Sequence, residues 1–258
     1  MMIGFFEEFP TRENLEKLKL VDFRTKLYIA ACNLKEFYDI KNDVERSSPT
    51  TEVGYWPILL KEEGYWLSPF CKSEALQRVV DELKRNKKQL TVMWDAELPF
   101  TRPHLFITQL PGFFRKRRLI REFIKNSSKY NIKIVVAEYA APRHIAETLL
   151  RFFGVKFSLR EYGHKKIIMF YTSMIKHKVL KKPTILYLKR EKKRYGNRVS
   201  VGLGTIARGI LGDEPILSPQ HLDRDLKLME RIGIREVIIF RLGGLTNEYI
   251  DVLKKYAD

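Results

Sequence analysis

The chain has 258 residues, of which 45% are hydrophobic, so it is long enough to bury one sizeable core. No run of about 18 apolar residues and no signal-peptide pattern occurs, which excludes a membrane-spanning segment and predicts a cytoplasmic protein. Cys32 and Cys71 show neither CxxC nor Cys/His spacing, which argues against a zinc site or a disulfide framework.

The charge balance is strongly basic. Lys and Arg total 48 against 31 Asp and Glu, a formal net charge of +17 that suggests binding to nucleic acid or another polyanion. The basic residues concentrate in segments 115–133 and 176–198, and Tyr187 and Tyr195 in the second segment could stack on bases. The alternative is that these segments are solvated surfaces of a heat-adapted, thermophilic protein.

In chain order, short apolar or aromatic runs alternate with amphipathic stretches, which predicts a parallel sheet with helical crossovers. Strands are predicted at 3–6, 26–31, 53–60, 90–94, 132–137, 166–172, 198–204 and 236–242. Helices are predicted from Thr11 and at 34–43, 73–86, 115–130, 142–153, 218–232 and 247–256. Segment 155–161 is predicted as an extra strand or hairpin arm, and 183–188 as extended. Eight strand–helix steps predict a single α/β domain over residues 1–258, a (β/α)8 TIM barrel.

Two carboxylates follow the fourth predicted strand. Asp95 and Glu97 are two positions apart, so in extended chain they share a face, and Pro99 then ends the strand. The carboxyl ends of barrel strands are where chemistry is done. Mutual repulsion favours the protonated form of one carboxyl and raises its pKa toward neutrality, as a general acid needs.

Other predicted strands also end in carboxylates and aromatic residues, a mixture that suits a sugar. Glu97 and Glu138 lie on adjacent strands and could form the acid and carboxylate of a glycosidase, with Glu7, Glu8 and Glu52 as alternative partners. Aromatic rings stack on sugar faces, and Arg241 could neutralise a carboxylate. The predicted substrate-binding residues are Glu7, Tyr55, Trp56, Tyr139 and Arg241.

No cofactor is predicted. The first strand lacks a following G-x-G-x-x-G turn, the Walker phosphate loop is absent, and the five histidines show no metal spacing. A third hypothesis beside a glycosidase and a polyanion-binding protein is a metal-dependent enzyme of sugar phosphates, in which Asp95, Glu97 and Glu138 hold a divalent cation.

Three motifs on predicted strands four to seven resemble those of glycoside hydrolase family 18, the chitinase-like barrels. They are Asp95-x-Glu97-x-Pro99, the Met-x-Tyr pattern from Met169 to Tyr171, and the segment 201–204. The resemblance implies that Glu97 protonates the leaving glycosidic oxygen and that Asp95 orients the acetamido group of the substrate, whose carbonyl attacks the anomeric carbon. It also implies that Tyr171 forms a hydrogen bond with that group.

The chain departs from the family pattern at several positions. Leu90 and Met93 stand where the family's strand-four signature has earlier aspartates, and Thr172 replaces the aspartate after the strand-six tyrosine. Phe240 is the best match to the aromatic residue of strand eight. The motifs therefore predict a carbohydrate pocket in either an active hydrolase or a differently specialised member, and the sequence leaves the oligomeric state open.

Overall fold

The computed structural model describes residues 1–100, 102–175 and 178–258, with the backbone alone for 178–180. Eight parallel strands pair in chain order, and the last returns to the first to close a barrel. The strands are β1 (Met2–Glu7), β2 (Thr25–Ala31), β3 (Thr51–Pro57), β4 (Leu90–Asp95), β5 (Ile132–Tyr139), β6 (Lys165–Met169), β7 (Val199–Gly204) and β8 (Glu236–Phe240). The predicted (β/α)8 barrel is confirmed.

Helices connect successive strands on the outside of the barrel. They are α1 (Arg12–Glu16), α2 (Leu34–Ser47), α3 (Ser73–Arg85), α4 (Leu105–Thr108), α5 (Phe113–Asn126), α6 (His144–Phe152), α7 (Leu159–Tyr162), α8 (Lys178–Tyr195), α9 (Pro219–Ile232) and α10 (Asn247–Leu253). Polar side chains cap several first turns: Asn33 accepts a hydrogen bond from the Glu36 amide, and Ser218 accepts one from the His221 amide. None of the helices in the described parts of the chain is long and apolar enough to cross a membrane.

Two predicted extended segments are helical or irregular, so both predictions are wrong. Segment 155–161 forms no strand, and α7 begins within it. Segment 183–188 lies inside α8, although its β-branched and aromatic residues favour a strand. Tertiary packing overrides that preference, because the buried residues of this helix recur at helical spacing: Thr184, Tyr187, Leu188, Glu191 and Tyr195.

The barrel interior is filled by side chains that alternate with outward-facing ones along each strand. Its apolar layer includes Phe6, Tyr28, Trp56, Met93 and Ile238. Near the amino ends of the strands, Lys26 Nζ lies 2.6 Å from Glu236 Oε1, and Ser200 donates a hydrogen bond to Glu236 Oε2. Side chains thus close this end, and a cavity remains at the carboxyl ends.

Candidate active site

A cavity of about 470 Å³ opens at the carboxyl ends of the strands. Most of its wall is apolar or aromatic, which suits a ligand with apolar faces. Four carboxylic side chains also line it: Glu8, Asp95, Glu97 and Glu214. Among the described residues that form the wall, none is a lysine, arginine or histidine, although the chain carries a net charge of +17.

Asp95 and Glu97 are placed by the end of β4. The Ala96 amide donates to the Ala137 carbonyl oxygen at 3.0 Å, so pairing with β5 extends one residue beyond Asp95. Alternation in this extended stretch turns Asp95 and Glu97 to the same side, and both line the cavity. The structure therefore brings these two predicted site residues together.

Glu97 is held by Tyr139, the last residue of β5. The Tyr139 hydroxyl donates to Glu97 Oε2 at 2.9 Å and accepts a hydrogen bond from the Leu98 amide at 3.3 Å. Burial raises the pKa of Glu97 to about 7; the bond from Tyr139 opposes the rise and the charge of Glu8 adds to it. Glu97 can therefore carry a proton near neutral pH.

Asp95 is only 3% exposed, and its Oδ1 has no hydrogen-bond partner among the described residues. Burial, followed by the negative charges of Glu97 and Glu8, raises the pKa of Asp95 well above its usual value. The Trp56 indole, also on the cavity wall, lies close enough to Asp95 to oppose this rise in pKa, but its buried Nε1 forms no hydrogen bond of normal geometry among the described residues. Buried polar atoms normally have partners, so both atoms are suited to bind a ligand.

Two further carboxylates line the cavity: Glu8, which the sequence suggested only as an alternative partner of Glu97, and Glu214, which was missed. Glu8 follows β1, where its Oε1 accepts a hydrogen bond from the Tyr65 hydroxyl at 2.7 Å and its Oε2 one from the Ile210 amide at 2.9 Å. Burial raises the pKa of Glu8 to about 7. Glu214 belongs to the loop between β7 and α9, and no strand-end pattern marks it. Alternation from the inward Phe6 could have favoured Glu8 over Glu7.

Aromatic residues form much of the remaining wall. Tyr171 lies two residues after β6, and its ring centroid is 5.8 Å from that of Phe240 at the end of β8. A β-carbon built on Gly202 would lie 3.4 Å from Tyr171 Cε1, so the glycine leaves room for this ring. Burial raises the pKa of Tyr171, which keeps its hydroxyl protonated. Trp56 contacts Phe6 across the cavity floor with ring centroids 5.7 Å apart.

Glu138 does not line the cavity, which corrects the expectation of a Glu97–Glu138 pair. It lies on the outer side of β5, where its Oε1 is 2.7 Å from Lys156 Nζ and 2.6 Å from Lys166 Nζ. Among the residues with described placement, no group of three or more His, Cys, Asp or Glu side chains could hold a metal ion. The predicted cation site of Asp95, Glu97 and Glu138 is therefore not assembled.

Three predicted substrate-binding residues also lie outside the cavity wall. Glu7 Oε1 forms an ion pair with Arg241 Nη1 at 2.9 Å, so these two residues neutralise each other. Tyr55 packs against Phe37 of α2, with ring centroids 4.8 Å apart. Glu7 and Tyr55 each precede a cavity residue, Glu8 and Trp56, and alternation along the strand turns them outward. Trp56 and Tyr139 line the cavity, and substrate binding by them stays a prediction.

The basic segments form part of the helical exterior. In α5 Arg115 and Arg118 are exposed, whereas Lys116 is buried and donates to the Cys71 carbonyl oxygen at 2.6 Å. Residues 176 and 177 of the second segment lie outside the described residues. Tyr187 and Tyr195 belong to α8 and are buried, so they are not available to stack on bases. Nucleic-acid binding stays a prediction from the sequence.

No family model matches the chain, and no curated protein matches it. Several solved structures do match the chain. The spore cortex-lytic enzyme SleL of Bacillus cereus superposes with a TM-score of 0.63 at 8% identity, covering 100% of this chain and 74% of that chain. The PgaB (BpsB) glycoside hydrolase domain of Bordetella bronchiseptica has a TM-score of 0.58 at 11% identity, covering 98% and 97%.

A chitinase from Chromobacterium violaceum also has a TM-score of 0.58, at 10% identity, covering 98% of both chains. At such low identity these similarities establish the fold alone. They agree with the resemblance to chitinase-like barrels seen in the motifs, and function has to be argued from the site.

Proposed function

We propose that the protein is a glycoside hydrolase that acts on a carbohydrate containing an N-acetylated amino sugar, with Glu97 as the general acid. The observation that carries this proposal is the pair of carboxyl groups at the end of β4, the buried Asp95 and the half-buried Glu97, which face a largely apolar cavity. A general acid must hold its proton near the working pH, and a pKa of about 7 for Glu97 meets that requirement.

The proposed reaction also needs a group that attacks the anomeric carbon. Glu138 is outside the cavity, and both oxygens of Glu8 already accept hydrogen bonds, from Tyr65 and Ile210. We assign the attack on the anomeric carbon to the acetamido carbonyl of the substrate, because that is the chemistry that the family resemblance implies. Asp95 Oδ1, which has no partner in the described residues, is suited to accept the acetamido N–H.

The proposed steps follow from these positions. Glu97 gives its proton to the glycosidic oxygen as the bond from that oxygen to the anomeric carbon breaks, and the acetamido carbonyl oxygen bonds to that carbon. Water then attacks the same carbon and loses a proton to the Glu97 carboxylate, while the bond from that carbon to the acetamido oxygen breaks, which restores both the acid and the acetamido group. Tyr171 donates its hydroxyl hydrogen to the acetamido oxygen, and Tyr139 fixes the Glu97 carboxyl.

The test is cleavage of N-acetylglucosamine oligosaccharides by the wild-type chain and by Glu97→Gln. We expect kcat to fall about 10²–10⁴-fold in the variant, the usual contribution of a general acid, with an unchanged fold by circular dichroism. Glu62→Gln, at an exposed position, is the matched control and should keep full activity. Full activity in Glu97→Gln, or no cleavage by the wild type, would contradict the proposal.

A further inference from the structure

The cavity wall opposite β4 carries two carboxylates that the proposed reaction does not use, Glu8 and Glu214. A β-carbon built on Gly209 would lie 2.6 Å from Glu8 Oε2 and 2.9 Å from Glu214 Oε1, so both groups crowd against this one backbone position. The negative charge of Glu214 also disfavours ionisation of Glu8 and contributes to its raised pKa. Arg241 acts on Glu8 from a distance, but among the described residues neither acid forms an ion pair with a basic side chain.

Glu214 has a free acceptor at this position. Its Oε1 accepts a hydrogen bond from the Leu211 amide at 3.2 Å, whereas its Oε2 has no partner among the described residues. The residue is only 6% exposed, so water contacts little of it. A buried carboxylate oxygen without a donor is costly unless a ligand supplies one.

Basic residues supply donors to buried carboxylates elsewhere in this chain. Glu138 contacts two lysines and Glu7 an arginine, whereas the described cavity wall contains no basic side chain. The missing positive charge is therefore expected on the ligand. A neutral sugar brings hydroxyl donors but no charge, and a uronic acid would be repelled.

We propose that Glu214, with Glu8 beside it, binds a protonated amine on the carbohydrate, so that the substrate is an amino-sugar oligosaccharide carrying a free amine as well as N-acetyl groups. This inference rests on the proposed function and adds a charge preference to it. An ammonium group offers three donors, enough for Glu214 Oε2 and for a second lone pair on Glu8 Oε2. The net charge of +17 works against non-specific attraction of such a cation, so any preference has to come from the cavity.

The experiment compares two tetrasaccharides of the same length at pH 7, one fully N-acetylated glucosamine and one with free amines on some units. Binding is measured by calorimetric titration in the Glu97→Gln background, so that cleavage does not obscure it. We expect the amine-bearing tetramer to bind at least about tenfold more tightly. Adding Glu214→Gln should remove this preference, so that the two tetramers bind within about twofold of each other, whereas adding Glu62→Gln at the exposed control position should retain it.

The outcomes separate the two proposals. Equal or tighter binding of the acetylated tetramer would overturn the amine site and leave the hydrolase intact, because Glu97 and Asp95 are not concerned. A preference that survives Glu214→Gln would also overturn the assignment to this residue. Absence of binding by either tetramer would overturn both proposals. The comparison of ligands in the Glu97→Gln background does not depend on whether the Glu214→Gln variant folds.

Discussion

Carboxyl groups on the two faces of the β4–β5 strand pair have very different pKa values because their neighbours differ. Asp95 pairs with Ala137 across β4 and β5, so Glu138, the next residue, faces the opposite side. Burial acts to raise the pKa of Glu138, but Lys156 and Lys166 outweigh it and lower the pKa to about 2. In the cavity, burial and like charges raise the pKa of Glu97 to about 7 and that of Asp95 well above normal. A neighbouring basic side chain, rather than the extent of burial, therefore distinguishes a structural carboxylate from one suited to catalysis.

The largest effect is expected from removing a cation on the outer side. Lys166→Met leaves Glu138 buried with one lysine, and we expect the free energy of unfolding to fall by about 3 kcal/mol, as is usual when a buried ion pair loses a partner. Lys165→Met, at the exposed neighbouring position, should change it by less than about 0.5 kcal/mol. Urea denaturation measures both, and equal stabilities for the two variants would argue against the structural role of this pair.

In the cavity, replacing a carboxyl group is expected to raise the free energy of unfolding rather than to lower it. The folded-state pKa of Glu97, about 7, lies above the unfolded value of roughly 4.3, so the stability that this carboxyl contributes is present at low pH and is lost as the pH rises through 7. Glu97→Gln should therefore raise the free energy of unfolding at pH 8 by on the order of 2 kcal/mol. The denaturation midpoint, followed from pH 4 to 8, should fall less steeply than in the wild type. Destabilisation at pH 8 would contradict the account.

A smaller change should follow the loss of the Tyr139 hydroxyl. Its hydrogen bond stabilises the ionised form of Glu97 and lowers its pKa, so Tyr139→Phe should raise that pKa further. We expect the alkaline limb of the kcat profile to move up by about half a unit, with a loss of kcat below about tenfold. A merely structural role would lower activity without moving the limb, and an unmoved limb would count against Tyr139 as a positioning residue.

The fold was predictable because alternating apolar runs and amphipathic helices encode a barrel locally. Asp95 and Glu97 were predictable as well, since they follow a strand directly and share one face of extended chain. The remaining site residues depend on information that the sequence does not carry locally. To choose Glu8 over Glu7, one must know which side chains of β1 point into the barrel. To exclude Glu138, one must know its register with β4 and the positions of two lysines that are distant in sequence.

Glu214 is the clearest case of a residue beyond sequence reasoning. It reaches the cavity through the loop after β7, whose position depends on contacts such as the Ile210 amide bonding to Glu8. The prediction of an extended segment at 183–188 was wrong for a related reason, because packing of α8 against the barrel determined the conformation of this segment. Long-range contacts, rather than local propensity, determined each of these positions.

The most direct measurement for the difference between the two sides of β5 is a carbon-13 NMR titration of the side-chain carboxyl groups. The account predicts two resonances that titrate with apparent pKa values of about 7, those of Glu97 and Glu8, of which only the first disappears in Glu97→Gln. It predicts another, from Glu138, that stays ionised down to about pH 3. If every cavity carboxyl titrated below pH 5, the cavity would hold ordinary ionised acids, and the assignment of Glu97 as a proton donor would be contradicted.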